Sequence, residues 1–224
     1  SNLILILTAQ CNLRCAYCYQ TAKKPLSMGW DTLRASIDVA FDSPSKEIRL
    51  LFIGGEPLLE WALLRKAVEY VSASAPPGKR IGYRISTNGT LITDEIAQFL
   101  DEHLFDVQLS FDGVAMAQDH RHEGSFARVD KSLDRLREKQ PDLFQKRLRV
   151  TTTQIPATIP CFAESIRYLI KKGVREIGIS PSLMPSPGWS REGIQTIESQ
   201  FRCVFDDSIR HLDMTGEVPL TLFR

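Results

Sequence analysis

The chain has 224 residues, of which 43% are hydrophobic and 25% are charged, and its formal net charge is +1. This length suffices for one sizeable hydrophobic core. The near-neutral charge without a basic block argues against nucleic-acid binding, and we expect no nucleic-acid partner. No apolar run approaches the roughly 18 residues of a membrane-spanning helix, so we expect no membrane association either.

Short apolar runs alternate with amphipathic stretches along the whole chain. The pattern predicts strands at 3–7, 48–53, 81–86, 107–111, 148–153 and 175–180. Helices are predicted at 31–41, 58–74, 93–102, 126–139, 160–172 and 191–214, and residues 114–124 are predicted to form a loop. Six strand–helix units in series indicate parallel strands with right-handed crossovers. A closed eightfold barrel needs about 250 residues. The sequence therefore predicts an α/β fold, an open, partial (β/α)6 TIM-like barrel.

A cluster of cysteines directly follows the first predicted strand. Three of the five cysteines, Cys11, Cys15 and Cys18, fall within eight residues. Thiolates suit iron–sulfur clusters, zinc or Cu(I). A structural zinc site normally has four protein ligands, and the first histidine, His103, is far away in sequence. The spacing therefore indicates a metal centre with one position left for a non-protein ligand. The alternative is three reduced cysteines that lie close together by chance.

Three further polar motifs follow the ends of predicted strands. They are Gly54-Gly55-Glu56-Pro57, Ser86-Thr87-Asn88-Gly89 and Asp112-Gly113. Chemistry in parallel α/β sheets gathers at the carboxyl ends of the strands. We therefore expect these motifs and the cysteine loop to lie on one rim of the barrel. Each motif alone could be an ordinary turn between a strand and a helix.

The run CNLRCAYC resembles the C-x-x-x-C-x-aromatic-C signature of radical SAM enzymes, and Gly54-Gly55-Glu56-Pro57 resembles that family's GGEP motif. The resemblance implies that Cys11, Cys15 and Cys18 hold a [4Fe–4S] cluster, whose fourth iron binds S-adenosylmethionine. The cluster would cleave this cofactor to a 5′-deoxyadenosyl radical that abstracts hydrogen from a substrate. It also implies the (β/α)6 core fold predicted above.

The same resemblance assigns roles to residues on the expected rim. Backbone carbonyls of Gly54 and Gly55 and the Glu56 carboxylate would accept hydrogen bonds from the methionyl ammonium group. Ser86 and Asn88 would contact the ribose hydroxyls or the methionyl carboxylate. Leu183 or Met184, after the sixth strand, would pack against the adenine.

Further roles come from the fourth strand and the cysteine loop. Ser110-Phe111-Asp112-Gly113 resembles the S-x-D-G of a subgroup that contains sulfatase maturases and peptide-modifying enzymes, whose chains usually continue into a SPASM or twitch region. The resemblance suggests that Arg121 pairs with the cofactor carboxylate and that Asp112 fixes the loop. Tyr17 would lie against the adenine or the cluster.

The resemblance implies a maturase-type oxidoreductase acting on a protein or peptide side chain, with a reducing partner such as flavodoxin or ferredoxin. Alternatives are an activating enzyme that makes a glycyl radical on a partner and a non-catalytic iron–sulfur electron-transfer protein. We expect residues 1–224 to form one core domain, with the barrel at about 3–190. Residues 191–224 would hold a final helix and an ending that looks like an unfinished strand. This ending favours the isolated core of a longer protein, and the alternative is a protein that manages with one cluster. The cysteine usage fits a reducing compartment, so we expect a cytoplasmic protein.

Overall fold

The computed structural model of the chain describes residues 1–20, 24–182, 184 and 189–223. The strands are β1 (Asn2–Thr8), β2 (Glu47–Gly54), β3 (Arg80–Thr87), β4 (Asp106–Ser110), β5 (Leu148–Gln154) and β6 (Ile177–Pro181). The helices are α1 (Trp30–Phe41), α2 (Trp61–Ser74), α3 (Asp94–Glu102), α4 (Ala115–Gln118), α5 (Ser125–Lys139), α6 (Pro141–Lys146), α7 (Phe162–Lys171) and α8 (Arg191–Thr215). Short 3-10 helices lie at Pro57–Glu60, Ile159–Cys161 and Thr221–Phe223.

All strands of the sheet are parallel and lie in sequence order from β1 to β6. Because β1 and β6 do not pair with each other, the sheet is an open barrel rather than a closed one. The predicted α/β fold with a partial (β/α)6 barrel is confirmed.

Alternation along the strands separates the hydrophobic core from the inside of the barrel. In β2, Ile48, Leu50 and Phe52 are buried and belong to the core cluster that the flanking helices cover. Their neighbours on the other face of the strand, such as Ile53, line the inside of the barrel, since successive side chains point to opposite faces. The core therefore holds the sheet and the helices together, and the inner face of the strands is left to line the barrel interior.

Two helices occur where the sequence does not predict them. Helix α4 lies within residues 114–124, predicted to form a loop, and α6 follows the predicted end of α5. Both are short, and short helices depend on tertiary packing rather than on periodicity. Helix α4 buries Ala117 and Gln118, and α6 buries Leu143 and Phe144.

The last described residues pair with the edge of the sheet for one position only. Leu220 forms a parallel bridge with Ile177 of β6, and a 3-10 turn follows at Thr221–Phe223. The expected strand at the end of the chain is thus reduced to a single bridge. In the part of the chain that the structure describes, every helix is too short or too polar to cross a membrane.

Candidate active site

A cavity of about 490 Å³ lies at the carboxyl ends of the strands. Its wall includes all three clustered cysteines and, from the sequence-predicted set, Tyr17, Gly54, Gly55, Ser86, Asn88 and Arg121. Glu56 and Asp112 do not line it, but Glu56 directly follows Gly55 and Asp112 binds Arg121, both of which are part of the wall. Met184 also lines the cavity, whereas Leu183 lies outside the described residues. The rim expected from the strand ends is therefore one continuous site.

The cysteine loop is held against the loop that follows α4. The backbone N–H of Arg14 donates to the carbonyl of Arg121 (3.2 Å), and that of Ala16 donates to the carbonyl of His120 (2.8 Å). Within the loop, the N–H of Cys18 donates to the carbonyl of Cys15 (3.1 Å). The first two hydrogen bonds join the loop that follows β1 to the segment that follows β4 and α4.

The three cysteines present the donor chemistry of an iron–sulfur cluster. All three are free thiols, partly exposed to the same cavity. Among the described residues, no three His, Cys, Asp or Glu side chains converge closely enough to hold one metal ion. A [4Fe–4S] cluster is held by cysteine thiolates at separate irons, so its ligands need not converge in that way. The donor set therefore fits a cluster with one iron left without a protein ligand.

Gly54 and Gly55 bring the end of β2 against the start of the cysteine loop. The N–H of Gly55 donates to the carbonyl of Thr8, and that of Glu56 donates to the carbonyl of Gln10, both at 2.8 Å. A Cβ atom at Gly55 would lie 2.1 Å from the carbonyl oxygen of Gln10. Only glycine allows this approach, which places the backbone of residues 54 and 55 on the cavity wall.

The Glu56 carboxylate lies behind the cavity wall and joins β2 to β3. Its side chain is fully buried and accepts hydrogen bonds from Leu58 N (3.0 Å), Thr87 Oγ1 (2.7 Å) and Asn88 N (2.7 Å). Burial raises the pKa of Glu56 to about 7, although these three hydrogen bonds oppose the shift. In this structure its partners are protein groups, and contact with a methionyl ammonium stays a prediction.

Ser86 and Asn88, both predicted to contact the cofactor, differ in what they have left to offer a ligand. The Ser86 hydroxyl lines the cavity and has no hydrogen-bond partner among the described residues. The Asn88 side chain is 7% exposed, and both its amide nitrogen and its amide oxygen already have protein partners. Ser86 is therefore free to bind a ligand, whereas Asn88 acts on its neighbours.

Asp112 connects three elements around Arg121. Its carboxylate accepts from Arg121 Nε (2.8 Å) and Arg121 Nη2 (2.7 Å), and from the backbone N–H of Thr153 (2.7 Å). The Tyr17 hydroxyl also donates to it. Asp112 thus binds groups from the cysteine loop, the loop after α4 and the end of β5.

The charges of this group are balanced inside the protein. Burial would lower the pKa of Arg121, but the facing carboxylate of Asp112 raises it above its ordinary value. Burial is also the main reason why the pKa of the Tyr17 phenol is raised, with Arg121 opposing the shift and Asp112 adding to it. Arg121 Nη1 has no acceptor among the described residues, and Arg121 lines the cavity. Those N–H groups are available to an anionic ligand.

Sequence reasoning missed the polar residues that support the site. Asn12 and Thr90 bind Asn88, and Gln118 accepts from the N–H of Asp112 (3.0 Å) while donating to Ser125 (3.1 Å). Asn12 stands between two of the cysteines, which is a signal that could have drawn attention to it. Gln118 lay in a segment predicted to be loop, and no pattern in the sequence marked it.

Comparison with known proteins identifies the family. The model of the radical SAM superfamily matches residues 5–156. An uncharacterised protein of Methanocaldococcus jannaschii is 32% identical over 180 residues, covering 79% of this chain and 60% of that protein. A serine-type anaerobic sulfatase-maturating enzyme of Klebsiella aerogenes is 29% identical over 196 residues, covering 83% of this chain and 47% of the enzyme.

A solved structure has the same fold. Native anSMEcpe with bound AdoMet and Kp18Cys peptide superposes with a TM-score of 0.85 at 20% identity, over 99% of this chain and 64% of that one. At this identity the likeness concerns the fold alone. The chain spans 60% or less of the length of the two relatives named above.

Proposed function

The chain belongs to the radical SAM superfamily, and we propose that it is a maturase-type enzyme that modifies a side chain of a protein or peptide. The single observation that carries this proposal is the cavity that brings the three clustered cysteines together with Gly54, Gly55, Ser86 and Arg121. The similarity to a sulfatase-maturating enzyme over 83% of the chain supports the choice of substrate class. Residues 3–190 would form the catalytic core.

The cofactors of this family are a [4Fe–4S] cluster and S-adenosylmethionine. When bound, they supply a 5′-deoxyadenosyl radical that removes a hydrogen atom from the substrate. The work left to this chain is to hold, orient and shield them.

Cys11, Cys15 and Cys18 would hold the cluster, and the neighbouring groups would orient S-adenosylmethionine. The carbonyls of Gly54 and Gly55 are suited to the methionyl ammonium, because glycine lets the backbone approach closely. The N–H groups of Arg121 Nη1 suit the carboxylate of the same ligand.

Ser86 and Tyr17 would complete the binding site. The free hydroxyl of Ser86, a residue of the cavity wall, would bind a ribose hydroxyl or the methionyl carboxylate. The ring of Tyr17 lies 5.3 Å from the Arg121 guanidinium carbon and forms part of the cavity wall, where it would exclude water. Asp112 would act through Tyr17 and Arg121 rather than by touching the cofactor.

The reducing partner and the location are proposed from the same chemistry. A low-potential protein such as flavodoxin or ferredoxin would supply the electron. The five cysteines of the described chain are free thiols, which supports a reducing compartment such as the cytoplasm.

Anaerobic reconstitution tests the proposal in two steps. The full chain is loaded with iron and sulfide, reduced with dithionite and given S-adenosylmethionine, and 5′-deoxyadenosine is measured by chromatography. We expect roughly four irons per chain and 5′-deoxyadenosine well above that of a variant with all three clustered cysteines changed to alanine. Zinc in place of a cluster would overturn the assignment.

The second step addresses the substrate class. Peptides with a cysteine or a serine in a sulfatase-type sequence are added, beside the same peptides with alanine at that position. A peptide-dependent rise in 5′-deoxyadenosine, with a mass change at the cysteine or serine, is the expected result. If S-adenosylmethionine is cleaved but no protein or peptide raises the yield of 5′-deoxyadenosine or changes in mass, the proposed substrate class is contradicted. The family assignment would stay intact.

A further inference from the structure

Asn88, directly after β3, uses every hydrogen-bonding position of its side-chain amide. The amide oxygen accepts from Thr90 N (3.0 Å) and Thr90 Oγ1 (2.7 Å). The amide nitrogen donates to Asn12 Oδ1 (2.9 Å) and approaches Cys11 Sγ at 3.8 Å. Two donors and two acceptor positions are the full capacity of an asparagine side chain. The amide therefore has nothing left for a cofactor.

The three polar side chains form a closed ring with a defined direction. Asn12 Nδ2 donates to Thr90 Oγ1 (2.8 Å), Thr90 Oγ1 donates to Asn88 Oδ1, and Asn88 Nδ2 donates to Asn12 Oδ1. The backbone N–H of Thr90 can only donate, and the Thr90 hydroxyl, which accepts from Asn12, must donate as well, so the two together fix which side of the Asn88 amide is the oxygen. The NH₂ group must then face Cys11.

The sulfur of Cys11 has two N–H groups directed at it. One belongs to the backbone of Leu13, at 3.4 Å, and the other to the Asn88 amide, at 3.8 Å. Hydrogen bonds to the sulfurs are one of the factors that set the reduction potential of an iron–sulfur cluster. Reduction adds negative charge to the cluster and its ligands, and a donor to the charged form favours that form.

The amide oxygen of Asn88 closes the turn at residues 88–90 by accepting from Thr90 N, whereas its amide nitrogen contributes nothing to that turn. The backbone N–H of Asn88 is already bound by the buried carboxylate of Glu56 at 2.7 Å. The ring of three polar side chains holds the Asn88 amide so that one of its N–H groups faces the Cys11 sulfur. This arrangement points to an effect on that sulfur.

We propose that Asn88, oriented by Asn12 and Thr90, is a positioning residue that directs an N–H donor at Cys11 and raises the reduction potential of the cluster. This inference rests on the cluster assigned to Cys11, Cys15 and Cys18 and is independent of the substrate. It gives Asn88 a role different from cofactor contact, which the free hydroxyl of Ser86 can supply.

The test measures the reduction potential of the reconstituted full chain by titration, followed by electron paramagnetic resonance, without S-adenosylmethionine. Asn88→Leu keeps the approximate shape and removes the donor. We expect the ratio of reduced to oxidised cluster at a fixed potential to fall about tenfold, which is about 59 mV for a one-electron couple. Ser86→Ala is the matched control from the same strand end, and it should weaken S-adenosylmethionine binding while leaving this potential unchanged.

A second pair of variants covers the case in which Asn88→Leu does not hold a cluster. Thr90→Val breaks the ring and Thr90→Ser keeps it, so Thr90→Val should lower the potential in the same direction and Thr90→Ser should not. A cluster at the wild-type potential in Asn88→Leu, or equal potentials in the two Thr90 variants, would overturn the proposal. Failure of the wild-type chain to bind any cluster would instead remove the assignment on which it rests.

Discussion

The Asp112 carboxylate and the Arg121 guanidinium form a two-point ion pair at 2.7 and 2.8 Å, with side chains only 1% and 7% exposed. The pair lies next to the cavity wall and shares the carboxylate with Tyr17. Both charges are removed from water, so each depends on the other. The ion pair therefore links the segment after β4 to the loop after α4, and the hydrogen bond from Tyr17 joins the cysteine loop to it.

Asp112→Asn should lower the free energy of unfolding by about 3–5 kcal/mol, because it leaves the Arg121 charge buried without its counter-charge. Urea denaturation of the wild type and the variant measures the loss. Asp106→Asn is the matched control, since its pair with Arg84 is 40% exposed on both sides and should contribute about 1 kcal/mol or less. Equal losses in the two variants would contradict the importance of burial here.

Glu56 should make the stability of the protein depend on pH. Its pKa in the folded chain is about 7, above the ordinary value of 4.5, so the folded state binds this proton more tightly than the unfolded state. The stability gained from protonation is complete below about pH 4.5 and is lost as the pH rises through 7, by an amount on the order of 3 kcal/mol.

The control for this pH dependence is Glu56→Gln, which cannot titrate. Melting temperatures from pH 5 to pH 8 should fall more steeply with pH for the wild type than for the variant. Glu56→Gln replaces one acceptor oxygen by an NH₂ group, so the variant is expected to be less stable. The comparison therefore uses only the slopes of melting temperature against pH. Parallel curves would show that Glu56 does not titrate in this range.

Gly55→Ala should disturb the approach of β2 to the cysteine loop. The new Cβ would lie 2.1 Å from the carbonyl oxygen of Gln10, a backbone atom that cannot rotate away. We expect a loss of about 1–3 kcal/mol in the free energy of unfolding and weaker S-adenosylmethionine binding to the reconstituted chain. Gly29→Ala is the control, because a Cβ there meets nothing within 4 Å. Similar behaviour of both variants would argue against a close approach at Gly55.

Alanine at Cys11, Cys15 or Cys18 should remove the cluster, since each thiolate would ligate a different iron. Iron and sulfide analysis with visible absorption should show a fall from roughly four irons per chain to near zero. Cys203→Ala, in α8 and away from the cavity, should bind iron as the wild type does. An intact cluster in any of the three variants would exclude that cysteine as a ligand.

Local sequence was enough to predict the sheet and the rim. Apolar runs followed by polar or glycine-rich motifs placed the strand ends, because alternation and turn residues act over a few neighbours. The three cysteines could be grouped because they stand within one loop. Helices α4 and α6 could not be predicted from local sequence, because short helices owe their stability to the core they cover.

The sequence by itself determined the residue types at the site and the parallel order that brings them to one edge. Only the tertiary structure decided which of them face a ligand and which face each other. Glu56 and Asn88 stand in motifs that suggested direct contact, yet their polar atoms bind protein groups. Asn12 and Asn88 are 76 residues apart in the chain and 2.9 Å apart in space. Such a pairing depends on how two strand ends meet, and short-range sequence patterns do not contain that information.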